Sequence, residues 1–247
     1  MNIPEIDIKS KLKEISEMGF IKALRKSDTG IGFTLETEMG IKENNLKNED
    51  FTYKGEKVEL KTQRKGTTSN ITLFTKEPVK GELNDKKLID KYGYKNGHGR
   101  RALKITLTTR YYTPQGLKLE IDENSKNIFV THKTDGKLWY WTVSDIKFKL
   151  GNLLLVFAAK KRKGESEYFH YNEAYYFTNF DEETFFKLIQ TARIVVDLRM
   201  HLRPTGTVRN HGTAFRIINL ENLTSCYKKK ETIVSENKSF RFSEGPQ

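Results

Sequence analysis

The stretch EDFTYKGEKVELKTQRKG (residues 49–66) decides how the rest of the chain is read. DFTY and KVELKT flank Lys54–Gly55–Glu56, the pattern of a β-hairpin with glycine in its turn. Successive strand residues point to opposite faces. Glu59 and Lys61 therefore share one face, Val58 and Leu60 the other, and Asp50 lies across the hairpin beside Glu59. Two carboxylates about 4–5 Å apart repel unless a cation holds them, and a hard divalent ion such as Mg²⁺ does so. A lysine next to that ion can orient water or balance the charge of a phosphate. An ordinary solvated hairpin fits the same three residues, so the remaining sequence has to choose.

Lys and Arg number 44 against 32 Asp and Glu, a formal net charge of +12 over 247 residues. That excess suits a polyanion, nucleic acid first and an anionic membrane surface second. Apolar residues at 36% and aromatics at 11% are spread along the chain and exclude disorder. They supply one large core or two modest lobes. The single cysteine, Cys226, excludes an internal disulfide framework and a zinc ribbon. MNIPEIDIKS at the start has no apolar signal core, and the longest apolar run, LLLVFAA at 153–159, is too short to span a bilayer. The expectation is a soluble, cytoplasmic protein.

Ile8, Leu12 and Ile15 recur at helical spacing after Pro4, and DTGIGFTLETEMGI (28–41) reads as a glycine-containing turn followed by a short helix. NITLFTK reads as a strand and NDKKLIDKYGY as a short helix. From about 102 to 142, ALKITLTT, LKLEID, NIFVTH and KLWYWTV alternate between turn signals, which predicts a four-stranded antiparallel meander. A helix from Ser144 and an apolar strand at 152–159 follow, then KKRKGESE as a charged turn and YFHYNEAYYF as a strand. DEETFFKLIQTA opens with acids, as a helix dipole favours, and RIVVDLRM and HGTAFRIINL are late strands. The tail from Tyr227 reads as an edge strand with a loose end. The class is mixed α/β with a curved, largely antiparallel sheet.

The trio Asp50, Glu59 and Lys61 resembles the Asp…Glu-x-Lys active site of the PD-(D/E)XK nuclease superfamily. TGIGFTLE, ending in Glu36, resembles the turn and short helix that carry an accessory glutamate in MutH-like nucleases. LFTK, VDLR near 199 and above all HGTAFRI (211–217) resemble the MvaI and BcnI branch of type II restriction endonucleases. The matching blocks run in order from about residue 28 to 218. The resemblance implies a MutH-like fold, a mixed curved β-sheet with flanking helices, and two lobes around a DNA-binding cleft. The catalytic lobe would lie mainly in 1–100 and the recognition lobe mainly in 101–247. It further implies a monomeric endonuclease cutting double-stranded DNA one strand at a time within a short pseudo-palindromic site of the CC-N-GG type. Asp50, Glu59, Lys61 and Glu36 would be catalytic, with Mg²⁺ on Asp50, Glu59 and Leu60. A DNA methyltransferase would be the genetic partner. Where a relative carries His-x-His-Gly, this chain has Arg209–Asn210–His211–Gly212.

In RIVVDLRM, Ile194, Val196 and Leu198 can face the core while Asp197 and Arg199 face outward together. Arginine reads guanine through two parallel hydrogen bonds, and Asp197 could hold its fork or accept from cytosine. The resemblance assigns Arg199 and Arg216 to guanines and places Arg209 and His211 near the centre of the site. The competing expectation is a surface ion pair of little worth. His98–Arg101 reads as a basic loop, His132 and His170 as structural, and Trp139 and Trp141 as core cover. Two other functions compete: a MutH-like mismatch-repair nickase needing a protein activator, and a basic DNA-binding module without catalysis.

Overall fold

The structure, a computed structural model, describes residues 3–42, 50–147 and 151–235. In chain order these form α1 (Ile8–Glu17), β1 (Ile21–Lys22), α2 (Gly30–Glu38), β2 (Phe51–Tyr53) and β3 (Glu56–Arg64). Next come β4 (Ile71–Thr75), α3 (Asp85–Tyr92), β5 (Tyr94–Lys95), β6 (Arg101–Leu107), β7 (Leu117–Ile121), β8 (Ile128–His132) and β9 (Gly136–Trp141). Then follow α4 (Val143–Lys147), β10 (Asn152–Lys163), β11 (Ser166–Phe180), α5 (Glu182–Gln190) and β12 (Ile194–Leu202). The last elements are β13 (Val208–Asn210), β14 (Ala214–Ile217), α6 (Asn219–Ser225) and β15 (Tyr227–Val234). No helix among them is long and apolar enough to cross a membrane.

Two compact units emerge, one of residues 1–67, 151–179 and 228–247, the other of 68–150 and 180–227. This partition differs from a single break near residue 100. The reason is topological: β3 and β10 are parallel neighbours, and a parallel pair needs a long crossover. Residues 68–150 fill that crossover and belong to the second unit.

In the first unit the strand order is β1-β11-β10-β3-β2, with β15 also on β11. The sheet is thus mixed: β10 and β3 are parallel, while β1–β11, β11–β10 and β3–β2 are antiparallel. Helix α1 starts at Asp7, whose carboxylate accepts from the Lys9 N–H at 3.1 Å, and buries Ile8, Leu12 and Ile15. Helix α2 buries Ile31 and Leu35 in the same core as Phe51, Val58, Leu60, Leu154 and Val156. Its first residue must be glycine, because a Cβ on Gly30 would sit 2.3 Å from the Arg25 carbonyl oxygen. The expected charged turn at KKRKGESE is instead strand up to Lys163, with Glu167 pairing across to Lys160 at 2.5 Å and Arg162 at 3.1 Å. Neutralising charges across the ladder let a polar sequence extend as a hairpin arm.

In the second unit the main sheet runs β4-β14-β12-β6-β5, with β13 on β12, and a separate sheet runs β7-β8-β9. The four-stranded meander is therefore three strands. β6 pairs instead with β12 along Ala102–Leu107 and with β5 at Arg101 and Ala102. The chain then turns through Pro114 and Gly116 before β7; Gly116 has φ +76°, and a Cβ there would meet His132 Nε2 at 2.6 Å. Trp139 and Trp141 are fully buried, as expected, and their indole N–H groups donate to the carbonyls of Leu83 and Lys76 at 2.7 and 2.9 Å. Phe215 stacks on Phe74 at 4.7 Å and meets Trp141 edge-on at 5.2 Å. Of HGTAFRIINL only Ala214–Ile217 is strand. The loose end expected beyond β15 lies outside the described residues from 236 on.

Candidate active site and nucleic-acid interface

The turn of the β2–β3 hairpin sets the first cluster. Lys54 and Gly55 both have positive φ, +52° and +76°, the signature of a two-residue type I′ turn. That turn pairs Tyr53 with Glu56 and Phe51 with Val58. Asp50 is the residue immediately before β2 begins, with its N–H already donating to the Val58 carbonyl at 3.2 Å. Its carboxylate takes over the ladder from there: Asp50 Oδ2 accepts from the Leu60 N–H at 2.7 Å. Leu60 and Val58 point into the core, so Glu59 and Lys61 lie on the opposite face, where Lys61 Nζ donates to Glu59 Oε1. Parallel pairing with Leu153 and Leu155 of β10 braces both residues from the other edge.

Burial is the main reason that the Asp50 carboxyl is pushed up to about 6, with the charge of Glu59 second and that of Glu36 on α2 a smaller addition. The Leu60 N–H and the Lys61 ammonium pull the other way. Two other sequence-selected acids thus bear on Asp50, one beside it on the hairpin and one on α2. Among the described residues no group of three or more His, Cys, Asp or Glu side chains is arranged to hold a metal. Asp50 and Glu59 still fit Mg²⁺, which commonly takes one or two carboxylates and leaves the remaining positions to water and substrate phosphate. Leu60 has only its main-chain carbonyl to offer. In a ladder that oxygen leaves the strand on the same edge as the residue's N–H, which is the Asp50 edge.

The second cluster lies on the main sheet of the other unit. Asp197, Arg199 and His201 share one face of β12, while Val196, Leu198 and Met200 are fully buried on the other. Asp197 is itself buried at 8% exposure, and its partner is Arg216 rather than Arg199. Register explains this: Arg216 of β14 stands opposite Val195, one diagonal step from Asp197. Arg216 Nη1 donates to Asp197 Oδ2 at 2.9 Å and Nη2 to the Asn70 carbonyl at 2.8 Å, while the Thr106 hydroxyl donates to Asp197 Oδ1 at 2.6 Å. Arg199 reaches the His211 carbonyl at 3.5 Å, and the His211 N–H donates back to the Arg199 carbonyl at 2.9 Å. Arg209 and His211 are exposed; Arg209 stands opposite His201, whose ring lies 5.5 Å from that of His211. Burial first, then the surrounding arginines and lysines, lower both histidines below their usual range.

Local pattern had no access to Thr106, because it comes from a strand 91 residues away. His201 was within reach, since it continues the period-two series Asp197, Arg199. His132 and His170 are tied to Asp135 at 3.0 Å and to the Ser16 carbonyl at 3.0 Å, as structural histidines are. Arg101 of the expected basic loop is strand, its Nε donating to the Ile89 carbonyl at 3.0 Å.

The model of the MvaI/BcnI restriction endonuclease family matches residues 9–227. A solved complex of the restriction endonuclease MvaI with its cognate DNA substrate is similar over 92% of this chain and 97% of that one, at 28% identity and a TM-score of 0.79. MvaI in the absence of DNA is similar over 92% of this chain and 96% of that one, at 24% identity and a TM-score of 0.51, a likeness of fold alone. No curated protein sequence matches. With the match running through both clusters, this chain belongs to the MvaI/BcnI restriction endonuclease family.

Proposed function

We propose that this chain is a type II restriction endonuclease of the PD-(D/E)XK kind. It hydrolyses phosphodiester bonds within a short pseudo-palindromic DNA site of the CC-N-GG type. The observation that carries the reading is the Asp50–Leu60–Glu59–Lys61 hairpin edge, in a chain that shares its family with MvaI. Asp50 and Glu59, with the Leu60 carbonyl, would hold Mg²⁺, whose charge would polarise the phosphate and lower the cost of ionising water. Lys61, held on Glu59, donates to the attacking water and offsets phosphate charge. Water attacks phosphorus as it gives up a proton to solvent, the P–O bond to the leaving deoxyribose oxygen breaks, and that oxygen takes a proton from a neighbouring water. Glu36 adds negative potential at the edge of the site.

Recognition falls to Arg199 and Arg216, each offering a two-pronged donor to the O6 and N7 of a guanine. Asp197 aims Arg216, and His211 and Arg209 face the centre of the site. One catalytic cluster per monomer means one strand cut per binding event, and a methyltransferase of matching specificity would protect host DNA. The test is to digest plasmid DNA with the purified chain in Mg²⁺ and sequence every end. The expected result is one short sequence with a fixed cut position. Ends scattered without a shared sequence contradict it.

A further inference from the structure

The turn His211–Thr213, between β13 and β14, is anchored by residues far away in the chain. Glu77 stands 133 residues before Asn210. Its Oε1 accepts from both the N–H and the hydroxyl of Thr213, at 2.9 and 3.1 Å. Its Oε2 accepts from Asn210 Nδ2 at 3.0 Å. One carboxylate therefore grips the chain immediately before and immediately after the His211–Gly212 pair. Asp85 Oδ2 takes the same Asn210 amide at 3.1 Å, and Lys80 Nζ ties the acids together, 2.7 Å from Glu77 and 2.5 Å from Asp85.

The orientation of Asn210 is fixed as well. Its Oδ1 accepts from the Gly212 N–H at 2.8 Å, in a turn where Gly212 has φ +84°, so its NH₂ has to face the acids. Thr213 is fully buried, and its N–H and hydroxyl depend on Glu77. The Glu77 side chain, by contrast, is 42% exposed, so altering it opens no cavity in the core. What it does control is the main chain on both sides of His211. The paired main-chain and guanidinium bonds between Arg199 and His211 pass that control to Arg199.

We propose that Glu77 is a positioning residue for sequence discrimination, setting through Asn210 and Thr213 where His211 and Arg199 meet the base pairs. This rests on the reading of β12–β14 as the base-reading surface. A carboxylate is needed because all of its partners are donors. An amide in its place would turn an NH₂ toward either Asn210 or Thr213.

The experiment measures affinities in Ca²⁺ for a duplex carrying the site mapped from the plasmid digest, for duplexes changed at one base pair, and for a random duplex. Wild type, Glu77→Gln and the milder Asp85→Asn are compared. Glu77→Gln should unfold cooperatively at a modestly lower thermal midpoint, stay folded at the assay temperature and keep its affinity for random duplex, while cognate preference drops on the order of tenfold. Asp85→Asn should show a smaller drop in the same direction. Undiminished preference in Glu77→Gln, or equal loss on all duplexes, overturns the inference while wild-type discrimination stands. A wild type that does not discriminate overturns the surface assignment itself.

Discussion

The carboxylate of Asp197 and the guanidinium of Arg216 meet at 2.9 Å, with the Thr106 hydroxyl on the other carboxylate oxygen. Asp197 thus sets the direction of one arginine, and its effect on recognition should run through that arginine. Arg216→Ala should cost about 1–3 kcal/mol of preference for cognate over random duplex. Asp197→Asn should lower the same preference, and the double variant should lose clearly less than the sum. Arg199→Ala should weaken cognate binding independently. Titrations on both duplexes at several salt concentrations decide this. Equal loss on both, with the salt slope falling by about one unit, would make that arginine a phosphate clamp instead.

Asp50 makes stability depend on pH in a definite direction. Its carboxyl is raised from 3.8 to about 6 in the folded chain, so the native state binds a proton that the unfolded state has already released. Without metal, the associated stability is full below pH 4, falls as pH rises through 6, and is flat above. The total fall is on the order of 1–3 kcal/mol. Asp50→Asn should abolish that slope and be the more stable protein at pH 7.5. Mg²⁺ should raise the wild-type melting temperature at that pH and leave the variant unmoved. Denaturant titrations from pH 4 to 8 check both. A wild-type stability that rises between pH 4 and 7, with no rise in the variant, would contradict the assignment.

The proposed hairpin site, used once per chain, would cut one strand per encounter. Supercoiled plasmid should therefore pass through an open-circular form before becoming linear, with the chain sedimenting as a monomer on DNA. The measurement is a time course with enzyme in excess over sites. Linear product without a nicked stage, from a dimeric complex, would refute sequential nicking.

The hairpin could be read from sequence because local rules fix it. Glycine at position 55 permits the positive φ of a tight turn, the turn sets the register, and period two puts Glu59 and Lys61 on one face. The bond from the Leu60 N–H to Asp50 was beyond those rules, since it depends on where β2 joins the ladder. Strand neighbours were equally out of reach. The alternation in ALKITLTT identified a strand, yet its pairing with β12 rather than with β7 is set by contacts distant in sequence. The same long-range pairing chose Arg216 as the partner of Asp197 and brought Glu77 to the His211 turn.

The central claim is that Asp50, Glu59 and Lys61 form a metal-dependent hydrolytic site. Its most direct test combines plasmid cleavage and site binding for wild type, Asp50→Ala, Glu59→Ala and Lys61→Ala. Wild type should cut in Mg²⁺ and stop in excess EDTA. Each variant should lose at least about 10²–10³-fold in cleavage rate while binding the mapped site in Ca²⁺ nearly as tightly as wild type. Cleavage at the wild-type rate in EDTA, or by Asp50→Ala in Mg²⁺, would contradict the account.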